Sequence, residues 1–266
     1  MAMNATEAFC AWTRLPFYCG NVYLTPRQLD DFLLAENVEV IEGEGAFFVL
    51  ENTGLFSRLH YFAESKEHLD KALVKLLLQV AADRSVVVDI LQRNGKAAGD
   101  VAAFGGAGFE QLGRLTRMNM APIVVSVDRQ DADLTIERAG AFDASEILIA
   151  LEKAFDTRVS RLPDLSTVAC WAEEGGVFVA RLNGVLAGVA LFKDYGSMRP
   201  CLDQLLTISE YRGMGVATSL LEEALSHFDA RQRPYLWAVD SALSYYEKIG
   251  FTSDGLTDTI MVYERR

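Results

Sequence analysis

The chain has 266 residues, of which 50% are hydrophobic and 23% are charged, a composition that indicates folded domains rather than disorder. Its formal net charge of −12 argues against a nucleic-acid partner, because phosphate backbones are bound by clustered Lys and Arg side chains. The sequence shows no apolar run of about 18 residues and no signal-peptide pattern at its start, so we expect no membrane partner and a cytoplasmic location.

The first half predicts one buried helix among several strands. Runs rich in apolar residues at 46–50, 56–63, 86–91 and 112–118 read as strands, and apolar residues at helical spacing from Leu69 to Val80 predict an amphipathic helix. Four residues, Gly-Gly-Ala-Gly at 105–108, lack the Lys-Ser/Thr of a nucleotide-binding loop. We therefore interpret them as a flexible turn before a strand.

The second half begins after a short polar junction at 128–133. It predicts a strand at 134–136, a helix at 144–155 and a second short helix at 160–168, interrupted near Pro163. Two apolar runs, 176–182 and 185–192, flank Asn183-Gly184, a pair that is typical of a two-residue hairpin turn. A further strand is predicted at 201–207.

A glycine-rich turn follows this last strand. It reads Tyr-Arg-Gly-Met-Gly-Val-Ala-Thr at 211–218, and an amphipathic helix begins directly after it. Glycines allow a close approach of the main chain to a ligand, and the first N–H groups of a helix have no intrahelical acceptor. Together with the helix dipole these groups attract anions, so the turn is predicted to bind a pyrophosphate. The alternative is a strand–turn–helix joint in which the glycines serve geometry alone.

A second pattern, Trp-Ala-Val-Asp-Ser-Ala-Leu-Ser-Tyr-Tyr-Glu-Lys-Ile-Gly-Phe, occupies 237–251. Residues 235–239 read as a buried strand, and the apolar residues of 242–249 recur at helical spacing. Gly250 is suited to end that helix, and Phe251 starts the next strand.

These two patterns resemble motifs A and B of the GCN5-related N-acetyltransferases (GNAT). Motif A of that family is Gln/Arg-x-x-Gly-x-Gly/Ala, which is matched by Arg212, Gly215 and Ala217. Motif B is a strand, an Asn, a short helix that bears a Tyr, and a closing Gly-Phe. Asp240 departs from it, because it stands where the family more often has Asn, and its distance to the Tyr is one residue short.

The resemblance implies an α/β (α+β) fold with two GNAT-like mixed β-sheets flanked by helices. Residues 133–266 are expected to form the catalytic N-acetyltransferase domain, and residues 1–128 a degenerate copy with the same order of elements. In that copy Glu64-Ser65-Lys66-Glu67 precedes the helix in place of the glycine turn. Because two carboxylates at this position repel a pyrophosphate, we expect the first half to bind no coenzyme A.

The resemblance also implies that acetyl-CoA is the co-substrate. The strand before motif A offers backbone groups to the pantetheine arm, and the amides of the turn hold the pyrophosphate. The predicted cofactor-binding residues are Leu205, Leu206, Thr207, Arg212, Gly213, Met214, Gly215, Val216, Ala217, Thr218 and Asp240.

Two side chains are predicted to be catalytic. Tyr246 matches the family's Tyr, which protonates the departing thiolate as a general acid, with Tyr245 as the competing candidate. Asp203 is the candidate general base, and strand alternation places it on the same face as Thr207. An exposed polar strand residue is the alternative reading of Asp203. A set of three residues, Trp171, Glu173 and Glu174, is expected either to line the acceptor pocket or to form a loop at the hairpin.

The resemblance thus predicts an N-acetyltransferase that moves an acetyl or other acyl group from acetyl-CoA to an amine by direct attack in a ternary complex. The acceptor is a small-molecule amine or a peptide N-terminus, and a monomer is favoured over a homodimer. One alternative is a non-catalytic acyl-CoA sensor or interaction protein. Another is a nucleotide-dependent enzyme, for which the required motifs are missing.

No metal is expected. The candidate ligands are scattered along the chain and show no Cys-x-x-Cys spacing. They are Cys10, Cys19, Cys170, Cys201, His60, His68 and His227. We expect reduced thiols with structural roles, Cys201 being either a buried apolar residue or part of a substrate channel.

Overall fold

The computed structural model describes residues 4–16, 18–79, 84–93, 98–120 and 134–264. The chain divides into two compact units. Unit 1 comprises Met1–Leu115 together with Gly255–Arg266, and unit 2 comprises Thr116–Asp254. The predicted junction at 128–133 lies outside the described residues. The proposed domains 1–128 and 133–266 differ from these units at two places, because unit 2 already begins at Thr116 and Gly255–Arg266 is counted with unit 1.

The described residues of unit 1 form four helices and several strands, which follow in chain order. They are α1 (Ala5–Trp12), β1 (Cys19–Gly20), α2 (Pro26–Leu33), β2 (Val38–Gly43), β3 (Ala46–Asn52), β4 (Ser57–Ala63), α3 (Lys66–Gln79), β5 (Val86–Arg93), α4 (Ala98–Gly106) and the first part of β6 (Glu110–Met120). The second part of the terminal strand β12 (Phe251–Tyr263) also belongs to unit 1. The strands predicted in this half are confirmed, whereas Gly105 and Gly106 end α4 instead of forming a free turn.

The sheet of unit 1 is mixed. Strands β2, β3 and β4 are antiparallel neighbours, β4 and β5 are parallel, and β5 pairs with β12 in antiparallel register from Leu256↔Arg93 to Tyr263↔Val86. One apolar core lies between the sheet and α3, with Phe48, Tyr61 and Leu73 fully buried. A smaller core around Phe9 and Phe62 is formed with the two N-terminal helices, α1 and α2.

Unit 2 contains the remaining elements. They are the second part of β6, then β7 (Leu134–Arg138), α5 (Ala144–Ala154), α6 (Leu165–Glu173), β8 (Val177–Leu182), β9 (Val185–Lys193), β10 (Cys201–Thr207), α7 (Val216–Ser226), β11 (Tyr235–Val239), α8 (Leu243–Lys248) and the first part of β12. The predicted hairpin is confirmed, because Asn183 and Gly184 have φ values of 51° and 78° between β8 and β9. The helix predicted at 160–168 is wrong in position, since it begins at Leu165, where the Asp164 side chain accepts the Thr167 N–H.

The sheet of unit 2 is also mixed. Strands β7 to β10 are antiparallel neighbours in chain order, and β11 lies parallel to β10. One core, which includes Leu202 and Leu220, lies on the side of α7 and α8. The other core, which includes Ile147, Val189 and Leu206, lies on the side of α5 and α6. The two faces of each central strand can therefore be assigned from the core that each side chain enters.

Candidate functional site

In unit 2 the parallel strands β10 and β11 separate soon after they begin. Their register consists of Cys201↔Tyr235 and Leu202↔Leu236, although β10 continues to Thr207 and β11 to Val239. On its other edge β10 stays paired with β9 down to Thr207↔Gly188. The edge of β10 that faces β11 therefore presents main-chain groups of 203–207 to an opening. This opening is the site where the sequence predicts the pantetheine arm beside Leu205, Leu206 and Thr207.

A β-bulge lies where the two strands separate. Leu202 pairs with Phe192 and Gln204 pairs with Leu191, so Asp203 is the extra residue on β10. The bulge changes the alternation: Leu202 and Leu205, three residues apart, both enter the core on the α7 side, whereas Leu206 enters the core on the α5 side. Gln204 Nε2 donates to Asp203 Oδ2 at 3.4 Å, which places these two neighbours on one face.

The prediction that Asp203 and Thr207 share a face is therefore wrong. A regular strand would place residues 203, 205 and 207 together, but the bulge puts Asp203 on the face of Leu206 and leaves Thr207 on the face of Leu205. Thr207 is paired with Gly188, whose missing Cβ would lie 2.8 Å from Val216 Cγ1 of α7. The side chain of Thr207 thus lies on the α7 side of the sheet.

Asp203 forms an ion pair with Lys193 of β9. The distance from Lys193 Nζ to Asp203 Oδ1 is 3.1 Å, and the Asp203 side chain is largely buried. Burial by itself lowers the pKa of Lys193, but the charge and hydrogen bond of Asp203 outweigh it and the pKa is raised. Lys193 was not predicted as a site residue. Its one sign in the sequence is its position as a single cation at the end of an apolar strand.

Two glycines in the turn after β10 adopt a backbone conformation with positive φ, which glycine allows. Gly213 has φ 83° and Gly215 has φ 78°, and a Cβ built on either residue meets no protein atom within 4 Å. Helix α7 begins at Val216 with no side-chain cap, and its first backbone bond runs from Ser219 N–H to Gly215 O at 3.0 Å. The N–H groups of 216–218 precede that bond and therefore have no intrahelical acceptor.

The predicted binding residues differ in exposure. Arg212, Gly213, Met214 and Gly215 are exposed, and the Val216 side chain is buried. The Oγ1 atom of Thr207 is buried without a hydrogen-bond partner, so a donor and acceptor group is available at the end of β10. Asp240 is exposed at the residue that follows β11.

Two adjacent tyrosines lie on α8 and pack into the core shared with α7. Their ring centroids are 5.2 Å apart, and Tyr246 also contacts Phe251 at 5.8 Å. Burial, with a smaller contribution from Tyr245, raises the pKa of Tyr246 above its ordinary value. Like any tyrosine hydroxyl, that of Tyr246 is protonated at neutral pH, and the raised pKa makes it a weaker acid. The hydroxyl of Tyr245 is buried beside the side chain of Thr218, and burial raises the pKa of Tyr245.

The three residues assigned to an acceptor pocket or a loop lie at the end of α6. Trp171 is partly buried against the core on the α5 side, Glu173 is the last residue of α6, and Glu174 follows it. Trp171 and Glu173 thus lie on the helix, and Glu174 is its C-cap residue in the turn before β8. Cys201 is buried, and burial raises the pKa of its thiol to about 11, as expected for an apolar structural residue.

The described residues contain no group of three or more His, Cys, Asp or Glu side chains that could hold a metal ion. Among them there is also no helix whose length and hydropathy would let it cross a membrane.

The chain was compared with known families and structures. Residues 146–251 match the model of the acetyltransferase (GNAT) family. No curated protein sequence matches the chain.

Solved structures with the same fold cover almost the whole chain. A GCN5-related N-acetyltransferase from Sphaerobacter thermophilus shares 14% identity and a TM-score of 0.64, over 92% of this chain and 87% of that one. One from Kribbella flavida shares 16% identity and a TM-score of 0.58, over 88% and 92%. A tandem GNAT protein from the clavulanic acid biosynthesis pathway shares 13% identity and a TM-score of 0.59, over 100% and 97%.

The strand order, the strand separation and the glycine turn agree with these matches. Residues 146–251 match the acetyltransferase (GNAT) family model, and the fold of the chain is similar to that of solved GNAT structures, among them a tandem GNAT protein.

Proposed function

We propose that unit 2 transfers an acetyl or related acyl group from acetyl-CoA to an amine by direct attack in a ternary complex. The observation that carries this proposal is the separation of β10 and β11 next to the uncapped start of α7. An opening between strands suits an extended arm, and free N–H groups at a helix start suit a pyrophosphate. A single ligand with an extended arm and a pyrophosphate needs these two features close together, and they follow each other directly in the chain.

The residues present fit such a ligand. Gly213 and Gly215 leave open space where side chains would otherwise stand, so a phosphate can approach the main chain closely. The N–H groups of 216–218 and the exposed Arg212 supply donors and positive charge. The unpartnered hydroxyl of Thr207 and the free edge of β10 supply polar contacts for the amide-containing arm.

Acetyl-CoA, when bound, supplies an activated acyl group on a thiol that becomes a leaving group. The protein then has to donate a proton at that sulfur, and Tyr246 is our candidate because it matches the tyrosine of motif B and its hydroxyl carries a proton at neutral pH. Backbone N–H groups on the free edge of β10 are suited to stabilise the negative charge that develops on the acyl oxygen. Asp240 is a weaker candidate contact, since it is exposed.

The candidate general base is Asp203. Asp203 lies at the point where the strands separate, as a base near the reacting atoms would, but its carboxylate is already paired with Lys193. A proton taken from the amine would have to compete with this ion pair. We therefore propose Asp203 for orientation of the acceptor amine first, and as a base only through a bound water.

The acceptor is proposed to be a small-molecule amine or a peptide N-terminus, in a cytoplasmic protein that acts as a monomer. One neighbour with the same fold, at 12% identity and a TM-score of 0.62, is a glucosamine N-acetyltransferase region of a fungal enzyme, a name that concerns that protein. A non-catalytic acyl-CoA sensor is the alternative, and the same opening and turn would serve it.

A thiol-release assay with acetyl-CoA and a panel of amines tests the proposal. We expect acceptor-dependent release of coenzyme A by the full chain, and loss of most of it in Tyr246→Phe. Binding of acetyl-CoA without release for any amine would favour the sensor. Absence of acetyl-CoA binding in calorimetry would reject both functions.

A further inference from the structure

Unit 1 also contains a pair of parallel strands that separate. Strands β4 and β5 are in register at Ser57↔Val86, Arg58↔Val87 and Leu59↔Val88, and the helix α3 connects them. Beyond Leu59 the parallel pairing stops, although β4 continues to Ala63 and β5 to Arg93. Unit 1 thus has the same kind of opening as the one between β10 and β11.

The opening in unit 1 is occupied by the chain itself. Strand β1 pairs with β4 in antiparallel register at Cys19↔Ala63 and Gly20↔Phe62, and the N–H of Asn21 donates to Tyr61 O at 3.0 Å. The other edge of β4 is paired with β3 along its whole length, from Ala46↔Ala63 to Asn52↔Ser57. Therefore β1 lies on the edge of β4 that faces β5, within the opening.

The side chain of Asn21 joins the two separated strands. Its Nδ2 atom donates to Leu59 O of β4 and to Asp89 O of β5, each at 3.0 Å, and its Oδ1 atom accepts the Tyr61 N–H at 2.7 Å. A side-chain amide thus satisfies main-chain groups that the separation of β4 and β5 would otherwise leave unpaired. The same strands are linked by an ion pair between Arg58 and Asp89.

The fit of this segment is close. A Cβ on Gly20 would lie 2.5 Å from Tyr18 Oη and 3.0 Å from Tyr61 O, so no larger residue fits there without movement. Next to it, the hydroxyl of Tyr61 donates to the buried carboxylate of Asp100 at 2.7 Å. Burial and the neighbouring Asp100 raise the pKa of the Cys19 thiol to about 12. The segment therefore lies in a polar but enclosed setting.

Unit 2 has no such segment in the residues described. Within 116–120 and 134–254, the part of unit 2 that the structure describes, β10 has β9 and β11 as its neighbouring strands, and its pairing with β11 ends at Leu202. Among the described residues the two openings therefore differ, because a segment of the chain pairs within the β4–β5 opening and none pairs within the β10–β11 opening.

We propose that residues Cys19–Asn21 occupy the β4–β5 opening of unit 1 in the position of an extended ligand, so that unit 1 offers no acyl-carrier site and the chain has a single site. The statement about a single site rests on the proposed function of unit 2. Glu64 and Glu67 at the start of α3 act in the same direction, because their charges oppose a pyrophosphate there.

Thiol labelling of the full chain tests the occupation directly. Peptide mass spectrometry after maleimide treatment gives a rate for each cysteine. In the unmodified protein we expect Cys19 to react at least about tenfold more slowly than the exposed Cys170, because Cys19 is half-buried with a raised pKa. In Asn21→Ala we expect the rate at Cys19 to rise about tenfold or more, since three hydrogen bonds are lost.

The matched control is Asn37→Ala. The Asn37 side chain also donates to a main-chain oxygen of unit 1, Asn52 O at 3.3 Å, but it lies away from the opening. Its removal should leave the Cys19 rate unchanged. An unchanged rate in Asn21→Ala, or an equal rise in both variants, would overturn the occupation of the opening.

A second measurement uses the unmodified protein and does not depend on the folding of a variant. Hydrogen exchange with and without coenzyme A should show new protection at 213–218 and no change at Tyr61 or Asn21, and native mass spectrometry should show one coenzyme A per chain. Two bound molecules, or new protection on β4, would overturn the inference. If no coenzyme A binds at all, the proposed function fails, and the labelling result alone decides whether Cys19–Asn21 fills the opening.

Discussion

Lys193 Nζ lies 3.1 Å from Asp203 Oδ1 and connects the last residue of β9 to the bulge of β10. The pair stands at the point where β10 and β11 separate, and the Asp203 side chain keeps only 14% of its surface exposed. A mostly buried carboxylate needs a partner, because an unpaired buried charge is costly. The ion pair therefore stabilises the bulge at this point of β10.

Lys193→Met should destabilise unit 2 by about 1–3 kcal/mol at pH 7, a value reduced for the partial exposure of Lys193. The folded protein raises the pKa of Lys193, so the contribution of the pair is present below about pH 10 and is lost as the pH rises through the raised pKa. Urea unfolding at several pH values checks this. The difference from the unmodified protein should shrink above that range, and the exposed Lys153→Met is the control. A difference that stays constant with pH would contradict the assignment.

The bulge at Asp203 is a part of the site that could not be predicted from the sequence. The limits of β10, the hairpin turn at Asn183-Gly184 and the start of α7 follow from local residue patterns and are confirmed. The local sequence Cys-Leu-Asp-Gln-Leu-Leu-Thr does not predict a bulge, because the bulge depends on the register of β10 with β9. One added residue reverses the faces that follow, so every side-chain orientation after Asp203 had to come from the structure.

Tertiary pairing also decides the parts of unit 1 that the sequence did not predict. The segments 5–12, 19–20 and 26–33 carry weak periodic signals, and the two-residue strand β1 exists only because β4 has a free edge. Gly255–Arg266 belongs to unit 1 because β12 pairs with β5. This pairing joins residues about 170 positions apart in the chain, such as Val86 and Tyr263. No window of local sequence contains such information.

Gly215→Ala should weaken coenzyme A binding about tenfold or more, because a Cβ would enter the space next to the free N–H groups of α7. The left-handed φ of 78° also costs about 1–2 kcal/mol for alanine. Gly184→Ala separates the two effects, since Gly184 has the same φ of 78° and open surroundings in the β8–β9 hairpin. Calorimetric titration and thermal unfolding of both variants provide the comparison. Equal loss of affinity in the two variants would show that strain, not contact with the ligand, is responsible.

Tyr246→Phe should lower kcat about 100-fold and leave the affinity for acetyl-CoA nearly unchanged, because the hydroxyl acts on the departing sulfur rather than in binding. Tyr245→Phe is the matched variant on the same helix, and its ring packs 5.2 Å from that of Tyr246. Steady-state kinetics with a saturating amine distinguish the two. If Tyr245→Phe shows the larger loss, the acid is Tyr245.

Removal of Gly255–Arg266 should unfold unit 1 and leave the fold of unit 2 largely intact. Strand β5 would lose its partner along the full register from Arg93 to Val86, and the core of unit 1 would lose the buried Met261. Three apolar side chains of this strand, Ile260, Met261 and Val262, are buried, at about 1.5–3 kcal/mol each. Their sum approaches the whole stability of an ordinary domain, about 5–15 kcal/mol.

Hydrogen exchange of residues 1–254 is the measurement. Protection should be lost at 86–93 and kept along β8 and β9, whose pairing lies within unit 2. The same reasoning predicts that residues 1–128 expressed alone do not fold, because that fragment also lacks β12. A peptide of residues 251–264 added in trans should restore protection at 86–93. Retained protection at 86–93 without the peptide would mean that β12 is not needed for unit 1.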